Sequence, residues 1–208
     1  MNESSPNLIT DELQQLQREG SLAVARLFSS YRDRLERMIR FRMDARLTGR
    51  VDADDILQEA YLDIDRRLPG YLSDPTVPVF VWMRKLTLQA LIDNHRRHLT
   101  AKGRSVKQES KKAEYGGATS VSLAELLIGQ LTSPSHAIIK QERRDQVQAA
   151  LDSMDELDRE VLALRHFEQL TNGEVADVLG LKKAAASNRY MRALSRLKQT
   201  LDGVISET

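Results

Sequence analysis

Along most of this chain, apolar residues return every three or four positions, the period that an amphipathic helix needs. In SLAVARLFSSYRDRLERMIRFRM, Leu22, Leu27, Tyr31, Leu35, Met38 and Met43 follow that rhythm, and the helix they imply closes near Gly49. A shorter helix is expected from Thr10 to Gly20, with Leu13 and Leu16 on one side. The stretch DADDILQEAYLDIDRR has Asp52 as a cap and places Asp54 and Asp55 in the first turn, where the helix dipole favours negative charge. Ile56, Ala60, Tyr61, Ile64 and Leu68 form its apolar stripe, and Pro69-Gly70 is expected to end it. A fourth helix, VFVWMRKLTLQALIDNHRRH, repeats Phe80, Trp82, Leu86, Ala90 and Leu91. Only 5% of residues are aromatic, and neither strand alternation nor an internal repeat is present. The pattern predicts an all-α protein.

The periodicity lapses between Ala101 and Ser135, where AKGRSVKQESKKAEYGGATS reads as a flexible linker and VSLAELLIGQL as a brief docked helix. A stretch of that length reaches at most about 115 Å when extended and averages nearer 30 Å as a coil. Beyond it, Ile138, Ile139, Val147 and Leu151 mark a helix ending near Ser153, and DELDREVLALRHFEQL a second, with Leu157, Val161, Leu162 and Leu164 inward. The expected organisation is an N-terminal extension over residues 1–20, a small helical domain over 21–100, the linker over 101–135 and a second helical domain over 136–208. The chain has no cysteine, which excludes disulfides and thiolate metal sites and suits a reducing cytoplasm. MNESSPNLIT lacks the basic start and apolar run of a signal peptide, and VFVWM is too short to span a bilayer.

The most specific local signal is TNGEVADVLGLKKAAASNRYMRALSRLKQTL. Thr171 and Glu174 have capping-box spacing, Val175, Ala176 and Leu179 form an inner face, and Gly180 supplies a left-handed turn that Leu181 plugs. The helix expected from Lys182 to Thr200 carries Lys182, Lys183, Arg189, Arg192, Arg196 and Lys198 and no acid. A short helix, a glycine turn and a longer basic helix make a helix-turn-helix, whose cations neutralise DNA phosphates. Ser187 and Asn188 stand outward where they can reach base edges. The plainer alternative is a helical hairpin with a solvated basic face.

A second basic surface combines Arg84, Lys85, Arg96 and Arg97 with Phe80 and Trp82, followed by Lys102, Arg104 and Lys107. Rings among cations suit single-stranded nucleic acid, although a lone tryptophan at helical spacing is equally a core residue. The net charge of +1 hides these surfaces because the acidic helix balances them. That helix could in principle hold magnesium through Asp52, Asp54, Asp55 and Glu59, the signature of a phosphoryl-transfer enzyme. However, all four acids lie on one short helix, no GxxxxGK loop is present, and His95, His98, His136 and His166 are scattered. No catalytic residue, metal or cofactor is expected. A response regulator or repressor would share the C-terminal helices but needs a receiver or ligand domain upstream, and residues 20–98 show neither alternating strands nor a pocket-like composition.

Together these segments resemble a bacterial RNA polymerase sigma factor of the extracytoplasmic-function type in the sigma-70 superfamily. LDREVLALRHFEQLTNGEVADVLGLKKAAASNRYMRALSRL resembles region 4, DADDILQEAYLDI the region 2 helix that docks on the polymerase, and FVWMRKLTLQALIDNHRR the segment that meets the melted −10 element. The resemblance spans about Leu22–Arg97 and Gln141–Leu201. It implies a protein that binds core polymerase through its clamp helices and flap, and directs promoter recognition without catalysing a reaction. It also implies that Asp55, Gln58, Glu59 and Leu62 meet the polymerase. Trp82, Arg84, Lys85, Gln89, Arg96 and Arg97 would meet the −10 element, with extruded bases held by the loop from Tyr71 to Val79. Ser187, Asn188, Met191 and Arg192 would read the −35 element, with Lys182 and Lys183 on phosphates. Family members are often held inactive by an anti-sigma factor, which makes such a protein a further expected partner. Here the recognition helix opens on Lys182 and three successive alanines, Ala184 to Ala186, and Gln89 stands where the family commonly has asparagine.

Overall fold

The computed structural model describes residues 6–43, 49, 51–99, 123–124 and 137–206. These form helices α1 (Pro6–Glu19), α2 (Ser21–Arg42), α3 (Ala53–Ser73), α4 (Val79–Leu99), α5 (Ala137–Ser153), α6 (Glu156–Leu162), α7 (Asn172–Leu179) and α8 (Lys183–Ser206). A π-helical turn, Ala163–Phe167, extends α6. No strand occurs among the described residues, as the 3.6-residue period implies.

The first four helices bury the stripes that their spacing defines: Leu35, Met38 and Ile39 of α2, Ile56, Leu57 and Ile64 of α3, and Met83 and Leu91 of α4 are all essentially inaccessible. α1 docks on them through Leu16, and the Tyr31 hydroxyl donates to Glu12. α1 begins four residues before the expected Thr10, at a proline whose fixed φ suits a first helical position. The turn between α1 and α2 is made by Gly20, at φ 54°.

Two expected boundaries are corrected. α3 does not stop at Pro69-Gly70 but runs to Ser73 with Pro69 inside it. The missing backbone bond is offset by tertiary contacts of that last turn: Tyr71 is buried, stacks on Trp82 at 4.2 Å between ring centroids, and its hydroxyl donates to the Val77 carbonyl at 2.7 Å. Likewise, DELDREVLALRHFEQL is not one regular helix. From Ala163 the ladder widens to a π turn, in which the Glu168 N–H donates to the Ala163 carbonyl at 3.1 Å, and Gln169 follows at φ 56°. α2 ends at Arg42, ahead of the expected Gly49, and residues 44–48 lie outside the described ones. Of the 101–135 segment only Leu123 and Ala124 are described, both helical and buried, so the linker reading lies outside the described residues.

The two helical groups do not stand apart in this conformation. Val161, Leu164, Leu170, Val175, Ala176 and Ala186 of the C-terminal group join the same buried cluster as α1–α4. Phe41 of α2 stacks on Phe167 of the π turn at 5.0 Å. A second cluster gathers Val147, Leu151, Leu162, Ala193 and Leu197, which ties α5 and α6 to α8.

Candidate functional site

The helix-turn-helix forms as its residues dictate. The Glu174 N–H donates to the Thr171 hydroxyl at 3.2 Å, and the Thr171 N–H donates back to the Glu174 carboxylate at 2.7 Å. Gly180 takes φ 64°, a left-handed conformation that glycine adopts without strain, and the Leu181 N–H reaches the Ala176 carbonyl at 2.8 Å. α8 then buries Ala186, Ala193 and Leu197 and turns Ser187, Asn188, Met191 and Arg192 to solvent as one row. Met191 is 60% exposed, unusual for a large apolar side chain and suited to contact with an apolar group such as a thymine methyl. Lys182 and Lys183 are exposed at the mouth of the row.

Not every cation of α8 faces outward to the same end. Asp158, buried on α6, accepts from Arg189 and from Arg196 at 2.7 Å each, and Asp155 accepts from Arg189 at 3.1 Å. Those two arginines therefore fix the orientation of α8 from behind, leaving Arg192 as the outward guanidinium of its row. Arg159 does a similar job for α5, donating from one Nη to the carbonyls of Leu151, Asp152 and Met154.

On α3 the acids divide by partner. Asp55 closes on the Asp52 N–H at 3.4 Å, and Asp54 accepts from Arg32 at 2.7 Å. Glu59 accepts from Asn94 at 2.9 Å and from Arg97, both on α4. The hydrogen bond from Arg97 holds the Glu59 carboxyl below its ordinary pKa against the opposing effect of burial. Asp55, Gln58 and Leu62 are exposed, Leu62 at 66%. Beside them lies a shallow groove of about 330 Å³ between Phe28, Arg32, Leu57, Gln58, Tyr61 and Leu62. Among the described residues no group of three or more His, Asp or Glu side chains is placed to hold a metal ion.

The residues expected at the −10 element are split. Lys85, Gln89 and Arg96 are exposed on one face of α4, with Gln89 donating to Asp93 at 3.0 Å and Arg96 near the same carboxylate at 3.5 Å. Arg97 is exposed but bound to Glu59. Trp82 lies in the core against Tyr71, only 8% exposed, so it is not a stacking platform in this conformation. Arg84 is 3% exposed and donates to Glu168 at 2.6 and 2.9 Å.

Glu168 is the centre of a network that the periodicity alone did not reveal. Arg42, 4% exposed, donates from Nε to Glu168 at 2.6 Å and from Nη2 to Glu160 at 2.5 Å. Burial pushes the Glu168 pKa up, but the two guanidinium groups outweigh it and hold the carboxyl at about 2. For Arg42, burial acts against the charge, and Glu168 and Glu160 reverse that and keep it firmly protonated. Arg34 makes a third crossing, with Nη2 at 2.9 Å from both Glu174 oxygens and its guanidinium carbon 3.6 Å from the Phe80 ring centre. One signal was available for Arg42: it follows Met38 and Ile39 by four and three residues and so continues the inward stripe of α2.

An all-helical chain with a solvent-facing recognition helix behind a glycine turn falls in the class of DNA-binding transcription proteins. Residues 144–197 match the family model described as Sigma-70, region 4. The chain is 25% identical to the RNA polymerase sigma-H factor of Pseudomonas aeruginosa, over 82% of this chain and 81% of that protein. It is also 25% identical to the ECF RNA polymerase sigma factor SigK of Mycolicibacterium vanbaalenii, over 93% and 91% respectively. A solved structure described as CnrH in complex with the cytosolic domain of CnrY aligns over 97% of this chain and 99% of its own, at 19% identity and a TM-score of 0.48. The chain is thus similar along most of its length to RNA polymerase sigma factors, several of them described as of the ECF type, and its residues 144–197 match sigma-70 region 4.

Proposed function

We propose that this protein binds core RNA polymerase and directs it to promoters, with α8 reading the −35 element and α3–α4 engaging the polymerase and the melted −10 element. The observation that carries the reading is the exposed row Ser187, Asn188, Met191 and Arg192, set on the segment that matches sigma-70 region 4. Ser187 and Asn188 offer hydrogen bonds to base edges, Met191 an apolar contact, and Arg192 a fork for guanine or phosphate. Lys182 and Lys183 supply phosphate contacts that set register. On α3, exposed Asp55 and Gln58 flank the apolar Leu62 next to Asp52 and Asp54, which suits a basic helical partner, and Glu59 joins them when Arg97 is drawn onto DNA. Lys85, Gln89, Arg96 and Arg97 line the α4 surface that meets single-stranded DNA. The protein supplies recognition and strand opening, while the polymerase supplies the chemistry. Residues 21–100 and 136–208 act as two units, each at its own promoter element.

A repressor with the same helix-turn-helix would bind DNA alone and ignore the polymerase. Size-exclusion chromatography of the chain with purified core polymerase separates the two readings. Stoichiometric co-elution is expected, and elution of the chain at its free volume would overturn the proposal.

A further inference from the structure

Three arginines of α8 stand in one line. Arg189 lies three residues before Arg192 and Arg196 four after it, so their guanidinium groups share one flank of the helix. That flank borders the outward row, because Arg192 belongs to both. Among the described residues, Arg192 alone of the three has no carboxylate partner. Buried Asp158 gives one oxygen to each outer arginine: Oδ1 accepts from Arg189 and Oδ2 from Arg196, at 2.7 Å each. Asp155 accepts from Arg189 as well, at 3.1 Å. The same Asp155 oxygen caps α6, accepting from the Leu157 N–H at 3.0 Å and the Asp158 N–H at 3.3 Å. Both carboxylates are thereby fixed to the start of a neighbouring helix and not to α8 itself.

A guanidinium on the rim of a helix that enters the major groove meets the phosphates of the groove wall, and phosphates are alike in every sequence. Each free arginine on that rim therefore adds sequence-independent affinity. It does not add equally everywhere. On an unrelated duplex the helix settles wherever its cations meet phosphates, whereas base contacts fix its pose at a preferred site. Extra free arginines thus favour the unrelated duplex, and selectivity, which is a difference of two affinities, falls. The Arg196 side chain is 56% exposed even while bound to Asp158, so a change of rotamer is enough to present it to solvent. What holds it back is a charge-assisted hydrogen bond, which lasts only while Asp158 carries its charge.

We propose that Asp158, supported by Asp155, sets the DNA selectivity of α8 by holding Arg189 and Arg196 off the phosphate backbone, which leaves Arg192 as the one arginine of the line that touches DNA. Asp158 itself meets no DNA and is a positioning residue. The inference rests on the proposed reading of α8. If Asp158 only braced the fold, losing its charge would weaken binding to every sequence. In this account the loss strengthens binding to sequences that the protein otherwise passes over.

The test titrates the full chain against two fluorescent duplexes across a salt series, one selected by the parent from a random library and one of shuffled sequence. Asp158→Asn keeps the shape of the side chain and removes its charge. Its affinity for the shuffled duplex is expected to rise and its preference for the selected duplex to fall. Its log affinity against log salt should be steeper by about 1.8, two phosphate contacts at about 0.9 each. Adding Arg189→Gln and Arg196→Gln should return the slope to the parent's, which a purely structural role of Asp158 does not predict. A folded Asp158→Asn variant with an unchanged or shallower slope overturns the proposal. Should that variant lose its helicity, Arg196→Gln in the parent decides, since Asp158 then keeps Arg189. An unchanged slope supports the proposal, and a slope shallower by about 0.9 shows that Arg196 already touches phosphate and overturns it. A parent whose duplex affinity does not respond to salt overturns the DNA reading of α8 and this proposal together. Co-elution of the parent with core polymerase tests the polymerase reading separately.

Discussion

Glu168 shows how much one side chain can fix. It is 1% exposed, carries two guanidinium groups, and is delivered to them by a π turn that shifts the register of α6 just before it. Its folded pKa of about 2 lies below the ordinary 4.5, so it stabilises the closed chain above that ordinary value. The contribution fades as pH falls from about 4.5 towards about 2, where the folded form takes up its proton. The melting-temperature gap between the parent and Glu168→Gln should therefore be constant near neutrality and shrink through that acid window. A gap independent of pH down to 2 would contradict the ionised state assigned to Glu168. On α3, Asp55→Arg with Glu59→Arg should abolish binding to core polymerase while leaving far-ultraviolet circular dichroism unchanged, since both side chains lie outside the buried stripe. On α8, Arg192→Ala should weaken promoter binding by about 1–3 kcal/mol if it reads a base, with relaxed preference at that base. A uniform loss across sequences, with a smaller salt slope, would reassign it to phosphate.

At the scale of elements, the helix-turn-helix was legible because each joint has a local cause: a reciprocal cap at Thr171 and Glu174, and a left-handed turn at Gly180. Gly180→Ala meets no neighbouring atom, so its cost is backbone strain alone, about 1–2 kcal/mol. Thr171→Ala should cost about 1 kcal/mol through the lost cap. Both are read as shifts in the chemical-denaturation midpoint, and a neutral Gly180→Ala would contradict the left-handed turn. The ends of α3 and α6 were not legible. Pro69 is a local stop signal, but Tyr71 packing on Trp82 overrides it, and that contact is made with the next helix rather than within α3. The π turn after Leu162 has no composition of its own, since ALRHF is good helix sequence. The same limit applies to the charged residues. Periodicity placed Ser187 and Asn188 outward, as the structure has them, because exposure follows from the apolar face opposite. Whether Arg84 faces DNA or Glu168 depends on an element 84 residues away, which no local pattern encodes.

For the whole molecule, charge is arranged in layers. A basic face is covered by an acidic one inside the closed chain, the acids at the start of α3 face outward, and the helix-turn-helix keeps Lys182, Lys183 and Arg192 exposed. That arrangement explains how a net charge of +1 coexists with two basic surfaces. The most direct test is transcription in vitro from a library of genomic fragments with core polymerase, with and without this protein, and with start sites mapped at single-base resolution. The chain should switch on a discrete subset of starts that share one motif near −10 and another near −35. Asp55→Arg with Glu59→Arg should silence all of them. An unchanged set of starts on adding the wild-type chain would contradict the assignment as a sigma factor.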